Sequence, residues 1–155
     1  MRRVKALPGC ILDVSCGTGR LLRAASVYWP KAQLLGIDPA AQMVLEATRL
    51  NLKATFKLGS AETLPFPDQC ADIVLSSISF HHWADQQKGL YEITRVLRPG
   101  GVFCLADNVL LSTKLFGEKV KSSAEIRVLM MNAGLAVQQQ QRMGIRFVLI
   151  TLAQK

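Results

Sequence analysis

No run of about 18 apolar residues occurs in this chain, so no helix is expected to cross a membrane. The basic start, Met1 to Pro8, also lacks the apolar stretch of a secretion signal. The four cysteines, Cys10, Cys16, Cys70 and Cys104, form no C-x-x-C pair. They sit within or beside apolar runs, which argues against disulfides or a zinc ribbon and for buried, reduced thiols in a cytoplasmic protein. Histidine is almost absent: His81 and His82 stand side by side, with no acid or cysteine at ligand spacing. That excludes a metal site on pattern. Low complexity is confined to Gln138–Gln141, and no internal repeat is present.

What remains is 155 residues, half of them hydrophobic. That length can bury a core and is expected to form a single domain, residues 1–155. The net charge of +8 raises the question of nucleic acid. The bases are scattered, however, among Arg20, Arg23, Lys31, Arg49, Lys53, Lys57, Lys88, Arg95 and Arg98, as on a solvated surface. Only Lys114, Lys119 and Lys121, interrupted by Glu118, cluster. A basic rim there would attract an anionic substrate or a nucleic-acid phosphate. Support for a nucleic-acid partner ends there.

The residues Ile11–Gly19, ILDVSCGTG, are the most informative. An apolar strand runs into Asp13 and then into a Gly-x-Gly turn opening an amphipathic segment. Gly17 and Gly19 permit a tight turn and a close approach to a ligand, and the N–H groups that begin the next helix, from about Thr18, face the same place. A second strand, Gln33–Ile37, ends at Asp38-Pro39, about 20 residues beyond Gly17. At that spacing an acid reaches ribose hydroxyls in dinucleotide-binding folds.

Periodicity extends the pattern. A first helix, about Thr18–Trp29, puts Leu22, Ala25 and Trp29 on one face, and a second helix is expected with Pro39 at its first position. Strands follow at Ala54–Leu58 and Ala71–Ser76. A helix over Asp85–Leu97 ends at Pro99-Gly100-Gly101, and a fifth strand covers Val102–Asp107. Ser122-x-x-Glu125 reads as a capping box for a helix that buries Ile126, Leu129, Met130 and Ala133 and closes at Gly134. Leu135–Gln140 and Ile145–Ala153 form a terminal antiparallel pair, turning around Arg142–Gly144.

Four segments in this order, ILDVSCGTG, Asp38-Pro39, GSAETLPFPDQCADIVLSSISFHHW (Gly59–Trp83) and RVLRPGG (Arg95–Gly101), resemble the class I S-adenosylmethionine-dependent methyltransferases. The likeness is to the type 11 group, which includes quinone-methylating enzymes, and it runs from about Cys10 to Asp107. It implies an α/β, doubly wound, Rossmann-like sheet of seven strands in the order 3-2-1-4-5-7-6. It also implies S-adenosyl-L-methionine as cofactor. Asp13 then orients the methionine amino group, and Asp38 takes the ribose hydroxyls. Ser15, Cys16, Gly17, Thr18, Gly19 and Pro39 shape the loops around the cofactor. Ser60, Ala61 and Glu62 flank the adenine, with Met43 either against it or in the core. Ser76 and Ser77 line the methionine end with their carbonyls. His81, in a histidine-rich spot common in the family, is the candidate base, because neutral imidazole accepts protons near pH 7. A helix-capping role is its alternative, as an N-cap is for Asp38.

Two departures from the family pattern bear on affinity. Ser15 replaces a glycine, and at positive φ it costs about 1–2 kcal/mol. Ser60 replaces an aspartate that accepts from the adenine amino group, which removes a charge-assisted bond. Ser76-Ser77-Ile78-Ser79 replaces the Asn/Asp-Pro-Pro-Tyr/Phe of relatives that methylate base amines or glutamine amides, so a small-molecule acceptor is expected. Two alternatives to a methyltransferase stay open: an S-adenosylmethionine-binding protein without turnover, and a nicotinamide oxidoreductase, although Leu22 stands at the third glycine of its fingerprint. The chain has little with which to build a lid. The acceptor site is therefore expected to be open, to be covered by a partner chain or a homodimer, or to belong to a truncated or minimal version.

Overall fold

A computed structural model describes residues 7–51, 53–108, 120–143 and 148–155. The expectations for Met1 to Ala6, for Lys114, Glu118 and Lys119, and for the turn at Gly144 lie outside the described residues.

Strand β1 (Cys10–Val14) is buried at all five positions. It lies between β2 (Gln33–Asp38) and β4 (Ala71–Ser77), parallel to both, with Leu12 opposite Leu35 on one side and Val74 on the other. A strand enclosed in this way has no solvent side, which is why ILDV shows no polar alternation. Helix α1 (Arg20–Tyr28) crosses from β1 to β2 and buries Leu22 and Ala25. Helix α2 (Ala41–Leu50) leads to β3 (Ala54–Leu58) at the sheet edge. A short 3-10 turn at Phe80–His82 and helix α3 (Gln86–Val96) lead into β5 (Leu97–Asn108). Helix α4 (Ser123–Asn132) precedes β6 (Ala136–Met143) and β7 (Val148–Gln154). The strands form one sheet ordered β3-β2-β1-β4-β5-β7-β6, with β7 antiparallel to both β5 and β6. This is the order the sequence implied.

Local chemistry sets the element ends. Asp85 caps α3, its carboxylate accepting from the Lys88 N–H at 2.9 Å. The predicted capping box is present: the Ser122 hydroxyl accepts from the Glu125 N–H, and the Glu125 carboxylate accepts from the Ser122 N–H. Gly134, at φ 82, ends α4 as expected.

Three expectations need correction. Pro39 is not the first residue of α2; it lies in a turn before the Ala40 cap, closed by Asp38 Oδ1 accepting from the Ala40 N–H. Arg98 to Gly101 do more than end α3. Leu97 already pairs with Ala71, and the register then jumps to Ile73 opposite Val102, so the Pro-Gly-Gly stretch is looped out of a strand that has begun. Leu129 is only half-buried on α4, where Ile126 and Met130 are fully buried.

The sheet's two faces differ. Val74, Phe103, Leu105, Leu149 and Ala153 pack with α3 and α4 into the main core. On the α1 side, Ile73 and Leu75 join Leu22 and Ala25 in a smaller cluster. Farther along that side Val102, Cys104, Ala106, Ile150 and Leu152 are only half-buried.

Candidate cofactor and acceptor site

The chemistry-bearing residues gather at the carboxyl ends of β1, β2, β4 and β5, where open α/β sheets bind ligands. At the end of β1 the chain turns through two positive-φ positions with one residue between them. Ser15 has φ 60 and Gly17 has φ 54; the serine therefore adopts the left-handed conformation that a glycine would hold at lower cost. The Cys16 N–H donates to the Ile37 carbonyl at 3.0 Å, and the Gly17 N–H donates to Asp38 Oδ2 at 2.8 Å. These bonds lock the glycine loop to the end of β2.

The two glycines do different work. A Cβ on Gly17 would meet nothing within 4 Å, so its outer face is open to a ligand. A Cβ on Gly19 would lie 2.7 Å from the Phe56 ring and 2.8 Å from Asn51 Nδ2. Gly19, at φ 72, makes the tight turn expected of the pair, and packing adds a second reason for a glycine there. The loop is also braced from behind: the Thr18 carbonyl accepts from Arg23 Nη1 at 2.8 Å and from Asn51 Nδ2 at 3.2 Å.

Asp13 and Asp38 contrast sharply. Asp38 Oδ2 accepts from Gly17 and Oδ1 from Ala40. Each oxygen keeps a lone pair for a further donor. Asp13 is almost wholly buried, and its Oδ1 has no partner. Burial, and then the Asp38 charge, push its carboxyl up to about 8. An unmet buried acceptor costs about 1–3 kcal/mol. A cationic donor at this spot would relieve it and restore the ionised form. Cys16, between them, is raised to about 12 by burial and by both aspartates, so it stays a thiol.

At the end of β3, the Gly59 N–H donates to the Asp38 carbonyl at 3.1 Å and brings Ser60–Glu62 alongside β2. Ala61 is buried. Burial raises the Glu62 carboxyl, but hydrogen bonds from the Ser60 hydroxyl and from backbone N–H groups, Asp85 among them, outweigh it and leave it lowered. The Ser60 hydroxyl thus lies close to the Glu62 carboxylate. An aspartate in its place would face a like charge. Met43 and Pro39 are exposed beside this group, and no hydrogen bond joins either to it among the described residues.

Beyond β4 the hydroxyls of Ser76 and Ser79 share a 2.8 Å hydrogen bond, both residues being buried. Between them Ile78 holds φ 52, an outlying conformation for a β-branched residue, with its N–H bonded to the Ala106 carbonyl at 2.7 Å. Sequence reasoning missed His81's partner. Asp107, buried at the end of β5, accepts from the His81 N–H at 2.9 Å and lies 2.7 Å from its Nδ1. It also accepts from the Asn108 N–H at 2.7 Å. A carboxylate there fixes the Nδ1–H tautomer and leaves Nε2 free to take a proton. His82 packs against His81 with the rings tilted by 46° and their centroids 4.0 Å apart. The available signal was Asp107 closing the strand next to β4. Among the described residues no cluster fit to hold a metal occurs, and no helix is long and apolar enough to cross a membrane.

Comparison with known proteins agrees with this architecture. A methyltransferase-domain family, the type 11 group, matches residues 12–105. The demethylmenaquinone methyltransferase of Deinococcus radiodurans is 34% identical over 114 residues, which cover 71% of this chain and 47% of that protein. A SAM-dependent methyltransferase from Aquifex aeolicus superposes with a TM-score of 0.82 at 25% identity, covering 94% of this chain and 81% of that one. A Haloferax volcanii methyltransferase, solved in complex with the Trm112 methyltransferase activator, gives 0.84 at 25% identity, covering 98% and 85%. The chain belongs to the class I S-adenosylmethionine-dependent methyltransferase family. Its cofactor is S-adenosylmethionine, and the unmet oxygen of Asp13 with the open face of Gly17 fits that molecule's ammonium and its close approach. Membership sets the nicotinamide alternative aside. The chain spans about half the length of the curated relatives it matches, or less.

Proposed function

We propose that this chain, as a single domain over residues 1–155, transfers a methyl group from S-adenosylmethionine to a small-molecule acceptor. The observation that carries this reading is Asp13, a buried carboxylate with an unmet oxygen beside an open glycine loop. When bound, the cofactor supplies a methyl group made electrophilic by its sulfonium. Asp13 receives the ammonium. The free lone pairs of Asp38 receive the ribose hydroxyls, and the loop Ser15, Cys16, Thr18 and Gly19 holds the N–H groups in place. Ala61 and Glu62 line the adenine side, with the Ser60 hydroxyl and Met43 at its edge, and the Ser76 carbonyl faces the methionine end. His81 Nε2 takes the acceptor's proton, with Asp107 holding the ring in position. Reaction then depends on aligning the acceptor atom about 3–3.5 Å from the methyl carbon. The free cysteines support a reducing cytoplasm.

A second reading differs only in needing a partner. The Haloferax neighbour was solved in complex with an activator chain, which supports a partner over the acceptor side of this protein as well. Calorimetry with S-adenosylhomocysteine tests the cofactor site. A screen for S-adenosylhomocysteine release over phenols, amines, carboxylic acids and structured RNA, with and without cell extract, tests transfer. Release only with extract supports the partner reading. Tight cofactor binding without release under any condition leaves a binding protein without turnover.

A further inference from the structure

Away from the strand ends, α1 and α2 part over β2 and β3 to leave a cavity of about 360 Å³. Its lining is apolar through Leu22, Leu34, Leu50 and Ala54, and cationic through Arg23 and Lys53, with no acidic residue. The volume lies within the range of small-ligand pockets, about 300–1,000 Å³. Nothing proposed for the methyl-transfer site uses it. Lys53 forms no ion pair among the described residues. Arg23 spends one of its five N–H groups on the Thr18 carbonyl. Glu46, the acid that Arg23 influences, is engaged by Arg49 at 2.7 and 2.9 Å. The rest of the polar wall is Ser26, whose hydroxyl donates to the Arg23 carbonyl at 2.7 Å, and the buried Asn51, whose Nδ2 donates to the Thr18 and Ala47 carbonyls.

We infer that this cavity binds a small amphipathic carboxylate, its apolar body on the leucines and its anion between Arg23 and Lys53, and that occupancy is read by the cofactor loop. The link is direct. Arg23 and Asn51, which line the cavity, are the two side chains that hold the Thr18 carbonyl inside the Gly17–Gly19 turn. A carboxylate that fixes the Arg23 guanidinium restricts one of the two groups that hold the loop before the cofactor arrives, so binding at one site changes affinity at the other. Such coupling acts equally in both directions. Only this coupling rests on the cofactor reading; the cavity's ligand class does not.

The test uses octanoate, with octanol and octylammonium as the neutral and cationic probes. Titration calorimetry of the full chain is expected to show octanoate binding, at least tenfold weaker binding of octanol, and none of octylammonium. Ser26→Phe, which fills the cavity from α1, should abolish octanoate binding. Lys53→Glu, an exposed change that does not endanger folding, should weaken it at least tenfold. Saturating octanoate should shift the S-adenosylhomocysteine dissociation constant at least threefold, and saturating S-adenosylhomocysteine should shift that of octanoate by the same factor. No octanoate binding, or binding unchanged in both variants, overturns the site. Octanoate binding with an unmoved S-adenosylhomocysteine constant overturns the coupling. If S-adenosylhomocysteine fails to bind at all, the cofactor reading is lost while the cavity result stands.

Discussion

The β1–β2 end of the site and the β4–β5 end are built on opposite terms. At the first, Asp13 carries an unmet buried oxygen, Ser15 sits in a left-handed conformation and Gly17 faces empty space. At the second, the hydroxyls of Ser76 and Ser79 satisfy each other, and Asp107 accepts three hydrogen bonds from His81 and Asn108. Unpaired buried groups destabilise a fold and survive where a ligand completes them. The first end is left incomplete, as the proposed cofactor site requires, whereas the second is already assembled. Cofactor binding should therefore rigidify the first end and leave the second nearly unchanged.

The largest expected effect lies at the assembled end. His81→Gln should lower turnover by about 10²–10⁴-fold, the range for a general base, and leave S-adenosylhomocysteine affinity unchanged in calorimetry. Asp107→Asn should lower turnover as well, because the amide can present its NH₂ to Nδ1 and favour the wrong tautomer. If either variant weakens cofactor binding as much as it slows turnover, the two ends are not independent.

Next comes Asp38, which holds the loop and is proposed to hold the ribose. Asp38→Ala removes the acceptor for the Gly17 N–H and, on the proposed reading, the partner for the ribose. The loss of hydrogen bonds to a charged group costs about 1.5–3 kcal/mol, so S-adenosylhomocysteine affinity should fall about tenfold to a hundredfold. Unchanged affinity would make Asp38 a structural clamp alone.

Asp13 gives a smaller effect with two signs. Its carboxyl is raised to about 8 by burial and by Asp38. Between the ordinary carboxylate range and about 8, the folded chain keeps a proton that the unfolded chain has lost. Stability therefore falls as pH rises through that window. Asp13→Asn has no such slope, so its melting temperature relative to wild type should climb from pH 5 to pH 8. Its S-adenosylhomocysteine affinity should drop about tenfold or more, while the wild-type affinity strengthens toward pH 8. Parallel melting curves at the two pH values would place the Asp13 proton elsewhere.

The legible parts of this molecule were those set by local chemistry. The buried strands, the Ser122 capping box and the positive φ at Ser15 follow from apolar runs, side-chain reach and one departure from a glycine pattern. The strand order came from resemblance, since periodicity within segments does not rank strands in space. Asp107 was out of reach because its meaning depends on β5 lying beside β4, 26 residues away in the chain. The positive φ of Gly19 was legible from the Gly-x-Gly turn, but its second constraint, the Phe56 ring from β3, was not, because no local pattern announces that neighbour. Ser60 was read as a weaker aspartate. Its proximity to Glu62 is a feature that a comparison with the family's aspartate alone does not bring out.

The smallest predicted effect decides whether the unfinished end is strained by accident or adapted to its ligand. Ser15 holds φ 60, which costs a non-glycine residue about 1–2 kcal/mol. Glycine removes that cost and adds about 0.5–1 kcal/mol of unfolded-state entropy. Ser15→Gly should therefore stabilise the free chain by about 0.5–1 kcal/mol, a rise of about 2–4 °C per kcal/mol at this size. Relief of strain alone predicts equal or tighter S-adenosylhomocysteine binding, because the glycine loop already has the bound shape. If the variant melts higher yet binds more weakly, the Ser15 side chain contributes to the ligand more than its conformation costs. The departure from glycine would then be a feature of the site, in the same sense as the unmet oxygen of Asp13.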